Sequence, residues 1–181
     1  MVGRLIKGFW AVVAAAAIAL GLLLAFPSAW GSYWLCAWLA MGLWLLILRR
    51  ARRRYALAIS ALAALIFFLV LFRWVSVSLG FSTPWIALAL CETLFLTLWS
   101  GSVLAVRRLT TPLWTLWTAF SFAGIEAWRA AFPWTGMPWG MLGFSQVDSP
   151  IKGWIPLLGE NGMAFLMVGI LAALVSVTWK I

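Results

Sequence analysis

The sequence predicts an all-α fold, a polytopic bundle of helices that crosses a lipid bilayer several times. Of its 181 residues, 66% are hydrophobic and only 9% are charged, whereas a soluble domain has roughly 45–50% apolar residues. The long apolar stretches lack the alternation of apolar and polar residues that marks the strands of an outer-membrane barrel. Basic residues stand between these stretches. These three observations indicate a helical membrane protein.

Six apolar stretches approach the length of a transmembrane helix, for which about 20 residues cross roughly 30 Å of hydrocarbon. They cover residues 8–26, 33–48, 55–72, 85–106, 113–131 and 162–179. Little sequence remains for a soluble domain, so residues 1–181 are predicted to form one transmembrane domain. Residues 132–161 are predicted to form an outward re-entrant or interfacial loop.

The basic residues predict the orientation of the six spans. Those outside the spans include Arg4, Lys7, Arg49, Arg50, Arg52, Arg53, Arg54, Arg107, Arg108 and Lys180. With six spans these ten residues fall on one side, and the positive-inside rule places that side and both termini in the cytoplasm. Because these charges lie between the spans and are not spread over one face, the net charge of +9 does not indicate nucleic-acid binding. The arginine-rich turn could also bind anionic lipid headgroups.

The composition predicts neither a metal site nor a cofactor. The chain has no His and only two Cys, so the commonest general base and metal ligand is absent. Cys36 and Cys91 fall inside predicted spans, where thiols pack against lipid or neighbouring helices. We interpret both as packing residues.

A few charged residues fall within or beside the predicted spans. Glu92 either hydrogen-bonds a Ser or Thr of a neighbouring helix or serves a function inside the bundle, and the sequence leaves both open. Glu126 and Arg129 are three residues apart, so they share one helix face and can pair. They form a structural salt bridge, orient the following loop, or present Arg129 to a phosphate. Arg73 is expected to extend towards the membrane surface.

The segment from Phe132 to Pro150 is rich in Trp, Pro and Gly. Its prolines prevent a continuous helix, and its tryptophans suit the headgroup region of a bilayer. Tryptophan is enriched at membrane interfaces in proteins of every function. The alternative interpretation is a site built at the membrane surface, and the order of the residues favours it.

That order resembles a known family. Glu126 and Arg129 precede the loop. The pattern then continues through the loop and into the last span with Gly143, Phe144, Ser145, Gln146, Pro156, Gly159, Gly162 and Phe165. The arrangement resembles the membrane domain of bacterial apolipoprotein N-acyltransferases. Residues 25–30 (AFPSAW) and 74–80 (WVSVSLG) match more weakly. Met137 stands where Phe is usual, Phe144 where Tyr is common, and Glu160 and Asn161 fall inside the glycine pattern.

The resemblance implies an enzyme of lipoprotein maturation in the bacterial cytoplasmic (inner) membrane. Such enzymes transfer an acyl chain from a phospholipid to the N-terminal cysteine of a diacylated lipoprotein. The reaction passes through a thioester on a catalytic Cys that Glu and Lys assist, in a nitrilase-like domain after a seventh span. That domain is absent from this sequence, and neither Cys36 nor Cys91 corresponds to the nucleophile. We therefore expect a truncated or partial chain with no catalytic residue of its own.

By the same resemblance, this chain would anchor the enzyme and admit its two substrates, the phospholipid acyl donor and the diacylated lipoprotein. Eight residues would line this lipid entry: Trp74, Ser78, Glu126, Arg129, Phe132, Pro138, Trp139 and Gln146.

Two alternatives belong to other functional classes. In the first, the chain is a non-catalytic scaffold that recruits a partner, such as a polyprenyl-phosphate mannose synthase, through the turn at residues 49–54. In the second, the chain is a small transporter that uses Glu92. Many transporters have spans that Pro or Gly interrupts at corresponding positions of the two halves of the chain. No such repeated pattern occurs in this sequence, so the transporter ranks last.

Overall fold

The computed structural model describes residues 2–26, 33–133 and 135–178, and within them every regular element is a helix. The α-helices are α1 (Val2–Ala25), α2 (Leu35–Arg50), α3 (Arg53–Leu71), α4 (Arg73–Leu79), α5 (Thr83–Ala105), α6 (Thr111–Arg129) and α7 (Ile155–Val177). Two short 3-10 helices, Leu142–Gln146 and Lys152–Trp154, lie between α6 and α7. The predicted all-α class is confirmed.

Four helical segments in the described part of the chain are long and apolar enough to cross a membrane. They are Gly8–Ala25, Arg53–Leu79, Thr83–Ala105 and Lys152–Val177. The other two long helices, α2 and α6, are shorter or less apolar, and α2 has only 16 residues. The count of six spans and the cytoplasmic placement of both termini therefore stay predictions.

The structure differs from the predicted boundaries on either side of the aromatic loop. The last span was predicted to begin at residue 162, but α7 begins at Ile155, where Pro156 occupies a first-turn position that needs no backbone N–H. Gly159 then interrupts the helix with φ 66° and ψ 178°. Likewise, the interval between the predicted spans 55–72 and 85–106 contains a further helix, α4, which ends at Gly80 with φ 74°.

The centre of the bundle is built from large aromatic side chains that join four helices. Trp44 of α2 is completely buried and donates a 2.7 Å hydrogen bond from Nε1 to Ser60 Oγ of α3. The ring of Trp99 in α5 meets the edge of Trp44 at 5.6 Å and of Phe122 in α6 at 4.8 Å, centroid to centroid. Inside a bilayer such packing and interhelical hydrogen bonds hold helices together, because lipid is as apolar as the side chains.

Helices α1 and α2 approach each other closely at Gly21. A Cβ atom at this position would lie 2.9 Å from Ala40 Cβ and 3.3 Å from the Cys36 carbonyl oxygen. Small residues therefore set the distance between these helices, as is common in membrane bundles.

We expect Gly21→Leu to lower the free energy of unfolding by about 1–3 kcal/mol, the usual cost of overpacking. Gly124→Leu is the matched control, because a Cβ at that helical glycine meets nothing within 4 Å. Thermal unfolding of the detergent-solubilised chain, followed by circular dichroism, measures both. Equal shifts in the two variants would show that the α1–α2 approach does not limit stability.

Candidate functional site

The candidate site lies where the last turn of α6 meets α5 and the aromatic loop, and α4 contacts the same loop. Glu126 and Arg129 occupy one face of that turn, and each is only 1% exposed. The face points into the bundle because the rest of the same stripe of α6, including Phe122 and Ala119, is apolar and buried. Both charged side chains are thereby removed from lipid and water and must find partners in the protein.

Arg129 connects three parts of the structure. Its Nε donates to Glu92 Oε2 of α5, and its Nη2 donates to the Trp139 carbonyl oxygen at 3.0 Å. The guanidinium also lies 4.9 Å from the centre of the Phe68 ring of α3. The partner of Glu92 is thus an arginine of α6, not a Ser or Thr. The sequence did not reveal this pair because 37 residues separate its members.

The loop backbone is held at two further points. Glu126 Oε1 accepts a 2.8 Å hydrogen bond from the Leu142 N–H, and the Met137 N–H donates to the Arg129 carbonyl oxygen at 2.8 Å. Glu126 also lies 3.8 Å from Arg129 Nη1. In this geometry the charged pair positions the loop, which is one of the roles that the sequence left open.

Glu92, Glu126 and Arg129 form a buried charge cluster, and a third carboxyl group lies beside it. Glu160 of α7 lies close enough to Glu126 for the two side chains to interact, and it packs against Gly143, where a Cβ would be 2.5 Å from the Glu160 carbonyl oxygen. Glu92 Oε1 and Glu126 Oε2 are buried without a hydrogen-bond partner among the described residues. These two carboxylate oxygens can therefore accept further hydrogen bonds. In the described part of the chain, no group of three His, Cys, Asp or Glu side chains could hold a metal ion.

Two of the predicted site residues form an exposed aromatic pair. The rings of Trp74 in α4 and Trp139 in the loop lie 5.2 Å apart, centroid to centroid, and both side chains are about half exposed. The two segments matched by sequence pattern thus meet in space. Pro138 is exposed beside Trp139, and Phe132 is exposed at the start of the loop.

The other predicted residues differ in their surroundings. Gln146 is fully buried, accepts a 3.0 Å hydrogen bond from Trp38 Nε1 and donates to the Trp34 carbonyl oxygen at 3.4 Å. It fastens the loop to the start of α2. Ser78 is exposed on α4, whereas Ser76 is buried. Trp134 and residues 27–30 of the AFPSAW segment lie outside the described residues.

A cavity of about 470 Å³ opens beside the cluster, between α4, α5 and the loop. It is lined by Val75, Pro84, Ala87, Leu88, Cys91, Glu92, Pro133, Gly136 and Met137. The walls are apolar apart from Glu92, which is fully buried. Sequence reasoning missed Ala87 and Leu88, which carry no polar signal. An apolar cleft of this size with one polar group suits a ligand with a long hydrocarbon part.

Because Glu92 and Arg129 are both buried, removing one partner should leave an uncompensated charge. We expect Arg129→Gln to cost about 3–5 kcal/mol of stability, and the Glu92→Gln/Arg129→Gln double variant to cost clearly less than the sum of the two single variants. Chemical unfolding of the solubilised chain measures all three. Asp148→Asn, at an exposed carboxylate, is the control. Strict additivity would refute the coupling.

Comparison with known proteins agrees with this geometry. Residues 18–173 match the family profile described as apolipoprotein N-acyltransferase N-terminal domain. Apolipoprotein N-acyltransferase from Bordetella bronchiseptica is 38% identical over 140 residues, covering 67% of this chain and 26% of the relative. The enzyme of the same name from Pasteurella multocida is 28% identical over 155 residues, covering 78% of this chain and 28% of the relative.

The chain thus spans about a quarter of the length of these relatives. The matched range includes the last turn of α6, the aromatic loop and most of α7, so it contains the whole charge cluster and the cavity. The chain belongs to the apolipoprotein N-acyltransferase family and corresponds to its N-terminal domain.

Proposed function

We propose that this chain is the membrane domain of an apolipoprotein N-acyltransferase and that it admits the enzyme's acylated substrates from the bilayer. The cavity beside the Trp74–Trp139 pair is the observation that carries this proposal. The acyl transfer itself would belong to the whole enzyme, which moves an acyl chain from a phospholipid to the N-terminal cysteine amine of a lipoprotein.

The cavity has the chemistry that an acyl chain requires. Val75, Leu88 and Met137 present apolar walls along its length. Such walls match the apolarity of a hydrocarbon chain, and the polar headgroup would stay outside because burying it without partners is costly. The cavity lies between α4, α5 and the loop, and we expect a lipid to enter it from the bilayer.

The tryptophan pair has the chemistry that the headgroup end requires. Trp74 and Trp139 expose broad rings with polar N–H groups, which favour the boundary between hydrocarbon and headgroups. In the six-span orientation, with both termini in the cytoplasm, this boundary is on the outer face of the bacterial inner membrane. Arg129 and Glu126 would then act as positioning residues, because they hold the backbone of the loop on which Trp139 stands.

Filling the cavity should block entry. We expect Ala87→Trp to lower lipoprotein N-acylation by the intact enzyme by about tenfold or more, equivalent to about 1.4 kcal/mol. Leu90→Trp is the control, because Leu90 is exposed on the same helix and does not line the cavity. Cys91 does line the cavity, so an alkyl maleimide should label it more slowly in Ala87→Trp. Normal acylation with slowed labelling would refute the entry role.

Removing one ring of the pair tests the headgroup end separately. We expect Trp139→Ala in the intact enzyme to reduce N-acylation while leaving thermal stability nearly unchanged, since the ring is exposed. Trp117→Ala is the matched control, because that tryptophan is similarly exposed but lies on α6 near Ser102. Acylation is measured by the mass of a mature lipoprotein. Equal loss in both variants would point to a general effect of membrane anchoring.

A further inference from the structure

The end of the bundle opposite the aromatic loop carries an excess of positive charge. Helix α2 ends there, α3 begins there and α5 ends there, and they bring together Arg49, Arg50, Arg52, Arg53, Arg54, Arg107 and Arg108. All four carboxylates of the chain are near the other end: Glu92, Glu126, Asp148 and Glu160. Neither Arg53 nor Arg54 forms an ion pair among the described residues.

Arg49 and Arg107 join different parts of the protein at this end of the bundle. Arg49 donates from Nη1 to the Arg107 carbonyl oxygen at 2.5 Å and lies over the Trp114 ring at 4.7 Å. Arg107 donates from Nη1 to the Ala51 carbonyl oxygen at 2.9 Å. These contacts fasten the turn between α2 and α3 to the end of α5. Arg53 and Arg54 are exposed in the first turn of α3, and the Arg54 guanidinium also lies over the neighbouring Tyr55 ring at 5.0 Å.

A groove of about 240 Å³ runs from these two arginines between α3 and α5. Its other lining residues are Leu57, Gly101, Leu104 and Ala105. Leu57 lies one helical turn beyond Arg53, so the charged groups stand at one end and the apolar groups continue into the bilayer region. Gly101 keeps the groove open, because a Cβ there would meet nothing within 4 Å.

The start of α3 adds to the attraction for an anion. This 19-residue helix has no acidic residue in its first turn, and no side chain caps its first N–H groups. Unsatisfied N–H groups at a helix N-terminus favour a negative charge. The groove thus combines two guanidinium groups, a helix N-terminus and an apolar floor.

We propose that this groove binds an anionic phospholipid from the leaflet at the arginine-rich end. The phosphate lies between Arg53 and Arg54, and one acyl chain follows Leu57, Leu104 and Ala105. A second apolar groove, of about 270 Å³, lies beside the turn between α2 and α3, and Ala51 and Tyr55 are among the residues that line it. The lipid is a structural ligand distinct from the acyl donor, because the cavity proposed for the donor lies at the opposite end of the bundle.

Native mass spectrometry of the detergent-solubilised chain tests the proposal, with phosphatidylglycerol and phosphatidylcholine of identical acyl chains as probes. We expect the chain to retain phosphatidylglycerol in preference. The Arg53→Gln/Arg54→Gln variant should lose about tenfold or more of this affinity, since each arginine near a membrane surface contributes to anionic-lipid binding. Arg108→Gln, an exposed arginine outside the groove, should change it by about twofold or less.

Ala105→Trp tests the acyl-chain part of the groove while leaving both arginines in place. We expect it to reduce phosphatidylglycerol binding as well, and inorganic phosphate to compete poorly in every variant. Equal losses in the double variant and in Arg108→Gln would overturn the proposal. So would unchanged lipid binding in Ala105→Trp, or displacement of the lipid by inorganic phosphate, which would identify a site for a soluble anion. If the double variant fails to fold, the preference for phosphatidylglycerol over phosphatidylcholine and the effect of Ala105→Trp still test the proposal.

Discussion

The buried ion pair between Arg129 and Glu92 is the interaction on which the rest of the structure depends. A charge inside an apolar bundle is costly unless it is paired and hydrogen-bonded, so α5 and α6 must bring these two residues together. The guanidinium then has donors left for the Trp139 carbonyl oxygen. Glu126, one turn earlier, fixes Leu142 in the same way. One charged cluster thereby sets both the helix packing and the course of the loop.

The cluster also explains why a loop so rich in Pro and Gly has a defined shape. Its prolines prevent a continuous α-helix, and the side chains of Arg129, Glu126 and Gln146 supply further partners to the loop or tie it to neighbouring helices. With its backbone held from beneath, the loop keeps Trp139 exposed against Trp74. The cavity lies between this loop and α5, so the same contacts that order the loop also keep the cavity open.

The two ends of the bundle offer different chemistry to a lipid. At one end the arginine is buried and the exposed groups are aromatic, which suits the boundary between hydrocarbon and headgroups. At the other end the aromatic Trp114 is buried beneath Arg49, and exposed arginines border an apolar groove. Removing Arg129 disturbs packing, whereas removing Arg53 changes only a surface charge. This contrast follows from burial, because desolvation makes an unpaired charge costly only in the interior.

Local composition determined the all-helical class and the approximate position of each long helix, and the order of residues in the loop determined the resemblance to a family. Twenty-residue apolar runs can satisfy their backbone in a bilayer only as helices, so no knowledge of neighbours is needed. Sequence also singled out Glu126, Arg129, Trp74 and Trp139. The tertiary structure alone decided that Glu92 pairs with Arg129, that Gln146 is buried and Ser78 exposed, and that a cavity forms beside them. These features depend on contacts between residues far apart in the chain, and the spacing of residues within one helix carries no information about them.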